Sequence, residues 1–239
     1  MIKRVDSAAL LVRSIGYGES DLIATFLTRD AGILACVVRG GKRSQKRFGG
    51  ALEPIHELFV AIEDRGRELC TLKEARVERI RHGVTANLEA MEAAGQALRW
   101  ARHLCAPRTE EAGVWRNLGD LLEALDARAL GGEALFAREE LATFGIRLLT
   151  EIGYALELDQ CVRCGRPCPA GRSAFLDAAA GGLVCSSCGG ARRVLRGEIR
   201  DRASRAQRGE PMTLTHAEAV DLITIVEDVM AVHSGFDNA

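Results

Sequence analysis

Aromatic side chains make up only 5% of the 239 residues, and no basic surplus accompanies them. The 32 Lys and Arg face 33 Asp and Glu, leaving a net charge of −1. A uniformly basic coat for polyanions is therefore excluded, and an extended stacking platform is disfavoured. No run approaches the ~20 apolar residues of a membrane span. The stretch from Ala8 to Val12, broken by Arg13, is too brief for a secretory core, so the chain reads as cytoplasmic. Short catalytic motifs are also missing: there is no G-x-x-x-x-G-K-[ST], no H-E-x-x-H and no G-x-S-x-G. His56, His82, His103, His216 and His233 show no pairing at metal-ligand spacing. A catalytic site can assemble from distant residues, but these absences favour a protein without a catalytic centre. No solenoid-period repeat or low-complexity tract is present.

What is present is ordinary globular material, 47% apolar and 27% charged. The charge is unevenly placed. Residues 1–82 hold 15 Lys and Arg against 11 Asp and Glu, and the remainder holds 17 against 22, so the surplus of +4 and the deficit of −5 sum to −1. A polyanion would meet the N-terminal part first.

That part has the pattern of a small β domain. Apolar, β-branched stretches at about Ala8–Ser14, Leu22–Thr28, Ile33–Arg39, Ile55–Ile62 and Leu69–Val77 are separated by Gly- and Asp-containing turns. Leu58, Val60 and Ile62 alternate with Phe59 and Ala61, as in a strand with one buried face. Five short strands suggest a closed barrel, an OB-fold or an SH3-like alternative.

From residue 84 the apolar spacing becomes helical. Leu88, Met91, Ala94, Ala97 and Leu98 form the first stripe. Further helices are expected over Gly113–Leu130, about Glu133–Leu158, and His216–His233. The last begins with the capping-box spacing Thr215-His216-Ala217-Glu218 and carries Val220, Ile223, Val226 and Met230 as its stripe. The expected fold is α+β and multidomain: a five-stranded barrel over 1–82, then a helical domain over 83–239 interrupted at about 159–192.

The interruption holds five of the eight cysteines. Cys36, Cys70 and Cys105 occur singly in apolar surroundings and read as core. In the two knuckles, Cys161-Val162-Arg163-Cys164-Gly165 and Cys185-Ser186-Ser187-Cys188-Gly189, twenty residues separate Cys164 from Cys185. Cys161, Cys164, Cys185 and Cys188 can converge as four thiolates on one structural Zn2+, leaving no open position for a catalytic water. Cys168 lacks the knuckle context and reads as a bystander. Ala174–Asp177 and Gly181–Val184 are expected as two short strands of a zinc ribbon.

Between the third and fourth strands lies Arg39-Gly40-Gly41-Lys42-Arg43-Ser44-Gln45-Lys46-Arg47-Phe48-Gly49-Gly50, with five cations in nine residues. Such a loop suits neutralisation of phosphates without fixed base geometry. Arg39, Lys42, Arg43, Lys46 and Arg47 are the candidate contacts, and Phe48 is a candidate for stacking on a base. Tyr17, Phe26 and Phe59 read as core or turn residues. Generic OB-folds favour the loops after strands one and four, whereas this loop follows the third. A second basic stretch, Arg192 to Arg208, reads either as an extension of the same path or as a solvated helix face.

The run Ala9-Leu10-Leu11-Val12-Arg13 … Gly18-Glu19-Ser20-Asp21 … Thr25-Phe26-Leu27-Thr28 … Val38-Arg39-Gly40-Gly41, followed by Phe48-Gly49-Gly50-Ala51-Leu52-Glu53-Pro54, resembles the start of the RecO family of bacterial recombination mediators. The later Phe144-Gly145-Ile146-Arg147-Leu148-Leu149 … Gly153-Tyr154, leading into Cys161-x2-Cys164-Gly165, is similar to that family's helical domain and zinc knuckle. The resemblance implies an N-terminal OB-fold, a helical domain with an inserted zinc ribbon, and a nucleoid-associated DNA-repair role. It also implies binding of single- and double-stranded DNA and annealing of complementary strands. The implied partners are RecR, often RecF, indirectly RecA, and single-strand-binding protein. The acidic, Phe-ended tail of that last protein would need an apolar pocket rimmed by cations, for which Arg192–Arg208 is a candidate. Two other readings stay open: a zinc-ribbon transcription regulator, which needs a base-reading helix, and a DNA-processing enzyme, which needs converging acidic metal ligands.

Overall fold

The computed structural model describes residues 2–42, 48, 52–134 and 136–236. The chain divides into two compact units, Met1–Gly132 and Glu133–Ala239. Among the described residues no helix is long and apolar enough to cross a membrane.

The first unit opens with β1 (Lys3–Tyr17), β2 (Asp21–Thr28), β3 (Gly32–Val38), β4 (Glu57–Asp64) and β5 (Cys70–Arg79). They pair in the order β1-β2-β3-β5-β4, and β4 returns to β1, so the sheet closes. This is the expected OB-fold arrangement. The first strand is much longer than its apolar core suggests, because it serves two neighbours. Lys3–Leu10 pairs with β4, Ala9–Tyr17 pairs with β2, and the register shifts between Leu11 and Arg13. A bulge there bends the strand around the barrel.

Alternation holds where the sequence shows it. Leu58, Val60 and Ile62 are fully buried, while Phe59 lies under the Arg76 guanidinium at 3.9 Å. Leu11, Phe26, Leu34 and Leu72 complete the barrel core, and each such side chain stabilises by roughly 1.5–3 kcal/mol. The unit continues with α1 (His82–Ala86), α2 (Leu88–Leu104) and α3 (Ala112–Leu130). Asp126 on α3 accepts from the Gly83 and Val84 N–H groups at 2.7 and 3.2 Å, satisfying the exposed start of α1. Asn87 caps α2 through the Ala90 N–H at 3.0 Å. Beyond α2, the Arg108 N–H bonds to Ile33 O at 3.0 Å. Gly32 sits so close to this segment that a Cβ there would lie 1.8 Å from Thr109 O.

The second unit holds α4 (Ala137–Glu151), the strands β6 (Glu157–Cys161), β7 (Ala174–Asp177), β8 (Gly182–Val184) and β9 (Arg193–Leu195), then α5 (Gly197–Gln207) and α6 (His216–Ser234). The strands form a second sheet in the order β6-β8-β7-β9. The helical expectation to Leu158 is thus corrected. The Tyr154 N–H turns back to Leu149 O at 2.7 Å and closes α4, and Glu157–Cys161 pairs with β8.

Two helical stripes are also corrected. On α2 the buried face is Ala90, Ala93, Ala94, Ala97, Leu98 and Trp100, while Leu88 and Met91 are exposed. On α6, Val220 is exposed and Leu222, Ile225 and Val229 join Val226 and Met230 in the core. Each helix has apolar residues on more than one face, so spacing alone does not choose the buried one.

The capping box at Thr215 forms in full: its hydroxyl accepts from the Glu218 N–H at 3.4 Å, and Glu218 Oε2 accepts from the Thr215 N–H at 2.9 Å. The Thr215 N–H, its hydroxyl and Arg202 hold the Glu218 carboxyl below its ordinary pKa. Thr215→Ala is expected to lower stability by about 1 kcal/mol, read as a lower denaturation midpoint with an unchanged m-value.

Candidate metal centre and nucleic-acid interface

The four knuckle sulfurs, of Cys161, Cys164, Cys185 and Cys188, all lie within 4.8 Å of one another. Local backbone chemistry brings them there. In the first knuckle the Gly165 N–H bonds to Cys161 O at 2.8 Å. In the second the Cys188 and Gly190 N–H groups bond to Cys185 O at 2.9 and 3.1 Å. Gly165 and Gly189 have φ of 71° and 103°, conformations that favour glycine. The knuckles are tied together by Arg163, which donates to Cys188 O at 2.8 Å, and by Val162 N–H to Leu183 O at 2.8 Å.

The donor set fits a tetrahedral ion. Four sulfurs about 2.3 Å from a common centre lie about 3.8 Å from one another, and Cys164 Sγ and Cys185 Sγ are 3.8 Å apart. The Cys185 N–H points at Cys161 Sγ at 3.3 Å and draws the Cys161 pKa down to about 6. Crowding by the Cys185 and Cys164 thiols pushes Cys188 up to about 12. Holding all four sulfurs ionised at this spacing would require a cation between them, which is the condition a divalent metal meets.

Cys168 stands outside the cluster, its sulfur against the Arg200 guanidinium. Arg200 is itself buried and donates to Pro169 O at 2.7 Å, fastening the segment between the knuckles to α5. Its neighbours are also engaged. Arg193 pairs with Asp228, Arg196 with Asp221, Arg202 with Glu218, and Arg205 and Arg208 with Glu210. Most positive charge of the second basic stretch is therefore balanced inside its own unit.

The first basic loop differs. Arg39 and Lys42 are exposed, and the root of the loop is bound to the β1–β2 turn. The Gly40 N–H donates to Asp21 at 2.8 Å, the Lys42 N–H to Ser20 O at 3.0 Å, and Lys42 Nζ to Gly18 O at 2.8 Å. The Gly40 N–H, Ser20 and the two cations hold Asp21 below its ordinary pKa. A loop after the third strand thus begins beside the turn after the first, the customary OB-fold binding edge. Arg43, Lys46 and Arg47, with Ser44 and Gln45 between them, lie outside the described residues.

Phe48 is corrected. It is 3% exposed and belongs to the barrel core, so its ring is not on a surface where a base could stack. The exposed aromatic near the loop is Tyr17, 52% accessible at the end of β1. Its position between Gly16 and Gly18, at a turn rather than within an alternating stretch, was the available signal.

Purified chain is expected to carry one metal ion per molecule by atomic emission, and Cys161→Ser none. Chelation should abolish the ordered ribbon in amide-exchange measurements while the barrel stays protected; a stably folded, metal-free ribbon would contradict the site.

Comparison with known proteins agrees with this architecture. The family model described as Recombination protein O N terminal matches residues 1–81, and that described as Recombination protein O C terminal matches residues 86–233. A DNA repair protein RecO of Rubrobacter xylanophilus is 38% identical over 183 residues, covering 76% of this chain and 70% of the relative. One from Anaeromyxobacter sp. (strain Fw109-5) is 34% identical over 190 residues, 79% of this chain and 72% of its own. One from Myxococcus xanthus is 32% identical over 188 residues, 79% and 74%. With both family models matched in order along nearly the whole length, the chain belongs to the RecO family.

Proposed function

We propose that the protein is a DNA-binding recombination mediator that anneals complementary strands. With RecR and RecF it would help to load RecA onto single strands coated by single-strand-binding protein. Family membership supports the repair and recombination role, and the observation that carries the DNA reading is the pair of exposed cations, Arg39 and Lys42, at the root of the basic loop beside the OB-fold binding edge. Residues 1–82 would form the DNA-binding domain, and 83–239 the helical domain with its insertion at about 159–192. Arg39, Lys42, Arg43, Lys46 and Arg47 would grip phosphates, with Tyr17 in place of Phe48 as the stacking residue. No chemical step is assigned to the protein.

Four thiolates with no open position suit a structural Zn2+. Its role would be to hold together a ribbon too small to bury a core of its own. In the same unit a cleft of about 990 Å3 is lined by Leu176, Ile225 and Val232, by Arg192, and by Asp177 and the Arg193–Asp228 pair. This chemistry matches an acidic, Phe-ended tail of single-strand-binding protein: a floor for the ring and a cation for the carboxylates.

One experiment separates these parts: annealing of complementary oligonucleotides, bare and coated, without nucleotide or Mg2+, with a gel check for cleavage. Joint replacement of Lys42, Arg43, Lys46 and Arg47 by Ala should reduce annealing on both substrates, and Arg192→Glu on coated strands alone. Strand scission, or unchanged DNA affinity of the fourfold variant at low salt, would overturn the reading. For the five loop cations, log K against log[salt] should slope at roughly −3 to −4 on single strands. Tyr17→Ala should cost about 1–3 kcal/mol of single-strand affinity by fluorescence titration.

A further inference from the structure

Cys36 on β3 and Cys70 at the head of β5 are direct register partners across a parallel seam that one other pair, Val37 with Thr71, completes. Both are free thiols and both are buried in the barrel core. Adjacent strands run about 4.8 Å apart, inside the roughly 4.4–6.8 Å between Cα atoms that a disulfide spans. Neither thiol belongs to the metal centre or to the DNA surface.

Their surroundings make them unequal. Arg108 holds a left-handed backbone at φ 61°, a conformation uncommon for a residue with a side chain. From there its guanidinium pairs with Asp64, donates to Arg67 O, and places Nη2 3.7 Å from Cys70 Sγ. The neighbouring Cys36 thiol and the Arg108 charge favour ionised Cys70, against burial and the Asp64 carboxylate, and the net direction is downward. Cys36 is pushed up by the neighbouring Cys70 sulfur and by burial.

We propose that Cys36 and Cys70 form a peroxide-responsive dithiol site, in which Cys70 is oxidised first and Cys36 then closes a reversible disulfide across the barrel seam. In the first step the Cys70 thiolate attacks one peroxide oxygen. The S–O bond forms, the O–O bond breaks, and the departing hydroxide takes a proton to leave as water. In the second, Cys36 sulfur attacks the sulfenic sulfur of Cys70. The S–S bond forms, the S–O bond breaks, and the hydroxyl leaves as water with the Cys36 proton. Two thiols give up two protons and two electrons, and one peroxide becomes two waters. The link stays open to thiol–disulfide exchange, which returns both thiols. Once formed it fixes the end of β3, three residues before Arg39.

The test is peptide mapping of the folded, metal-loaded protein after hydrogen peroxide, alkylation and digestion without reductant. The expected result is a linked peptide pair carrying Cys36 and Cys70, lighter than their sum by two hydrogens and separated again by dithiothreitol. In Cys36→Ala, dimedone should trap a sulfenic acid on Cys70; in Cys70→Ala, Cys36 should stay unlabelled. The proposal is overturned if both thiols alkylate fully on later denaturation, if the link forms only in unfolded protein, or if Cys36 is the residue trapped. DNA affinity does not enter, so this outcome is separate from that of the annealing assay.

Discussion

Closure of the first five strands into a barrel is the constraint on which the rest of the first unit depends. Its shortest seam is the parallel join of β3 to β5, two register pairs long. Antiparallel neighbours can be linked by tight hairpins, but a parallel pair requires a long connection. Here that connection contains the basic loop, β4 and the β4–β5 turn. The seam fixes the end of β3, and the end of β3 is where the cationic segment begins. Hydrogen bonds from Gly40 and Lys42 to the β1–β2 turn then hold the loop's root beside that turn.

The two units are held together by different means. The first has a continuous apolar core, with Phe26, Leu58, Val60 and Ile62 fully buried. The ribbon of the second has few such residues, chiefly Leu176, Leu183 and Val184. It relies instead on its knuckle hydrogen bonds, on buried Arg200 and on four cysteines placed to hold a metal ion. A small unit without enough apolar area to offset its conformational entropy needs a bond of this kind.

Electrostatics follow the same division. A net charge of −1 says little about binding, because what matters is which cations remain exposed. The arginines of α5 and its approach are largely matched by Asp221, Asp228, Glu210 and Glu218. Arg39 and Lys42 remain exposed on the β3–β4 loop. Exposed ion pairs contribute little to stability, so the arginine-rich stretch organises its own unit through geometry, with Arg200 donating to Pro169 O as its clearest case.

Sequence by itself determined the features that are local or that repeat at a fixed spacing. The two knuckles, the capping box at Thr215, the five strands and the position of the cationic loop could all be read because backbone turns and alternation act over a few residues. Tertiary structure alone decided which apolar residue is inside. Phe48 in a cationic loop reads as a surface ring, yet the barrel has room for it; Leu88 and Met91 read as core, yet α2 buries its alanine face. It also ended α4 at Glu151, because residues 157–161 found a strand partner in β8, and it set Cys36 opposite Cys70. Burial and pairing depend on what the rest of the chain brings alongside, and that is not encoded within any one window of residues.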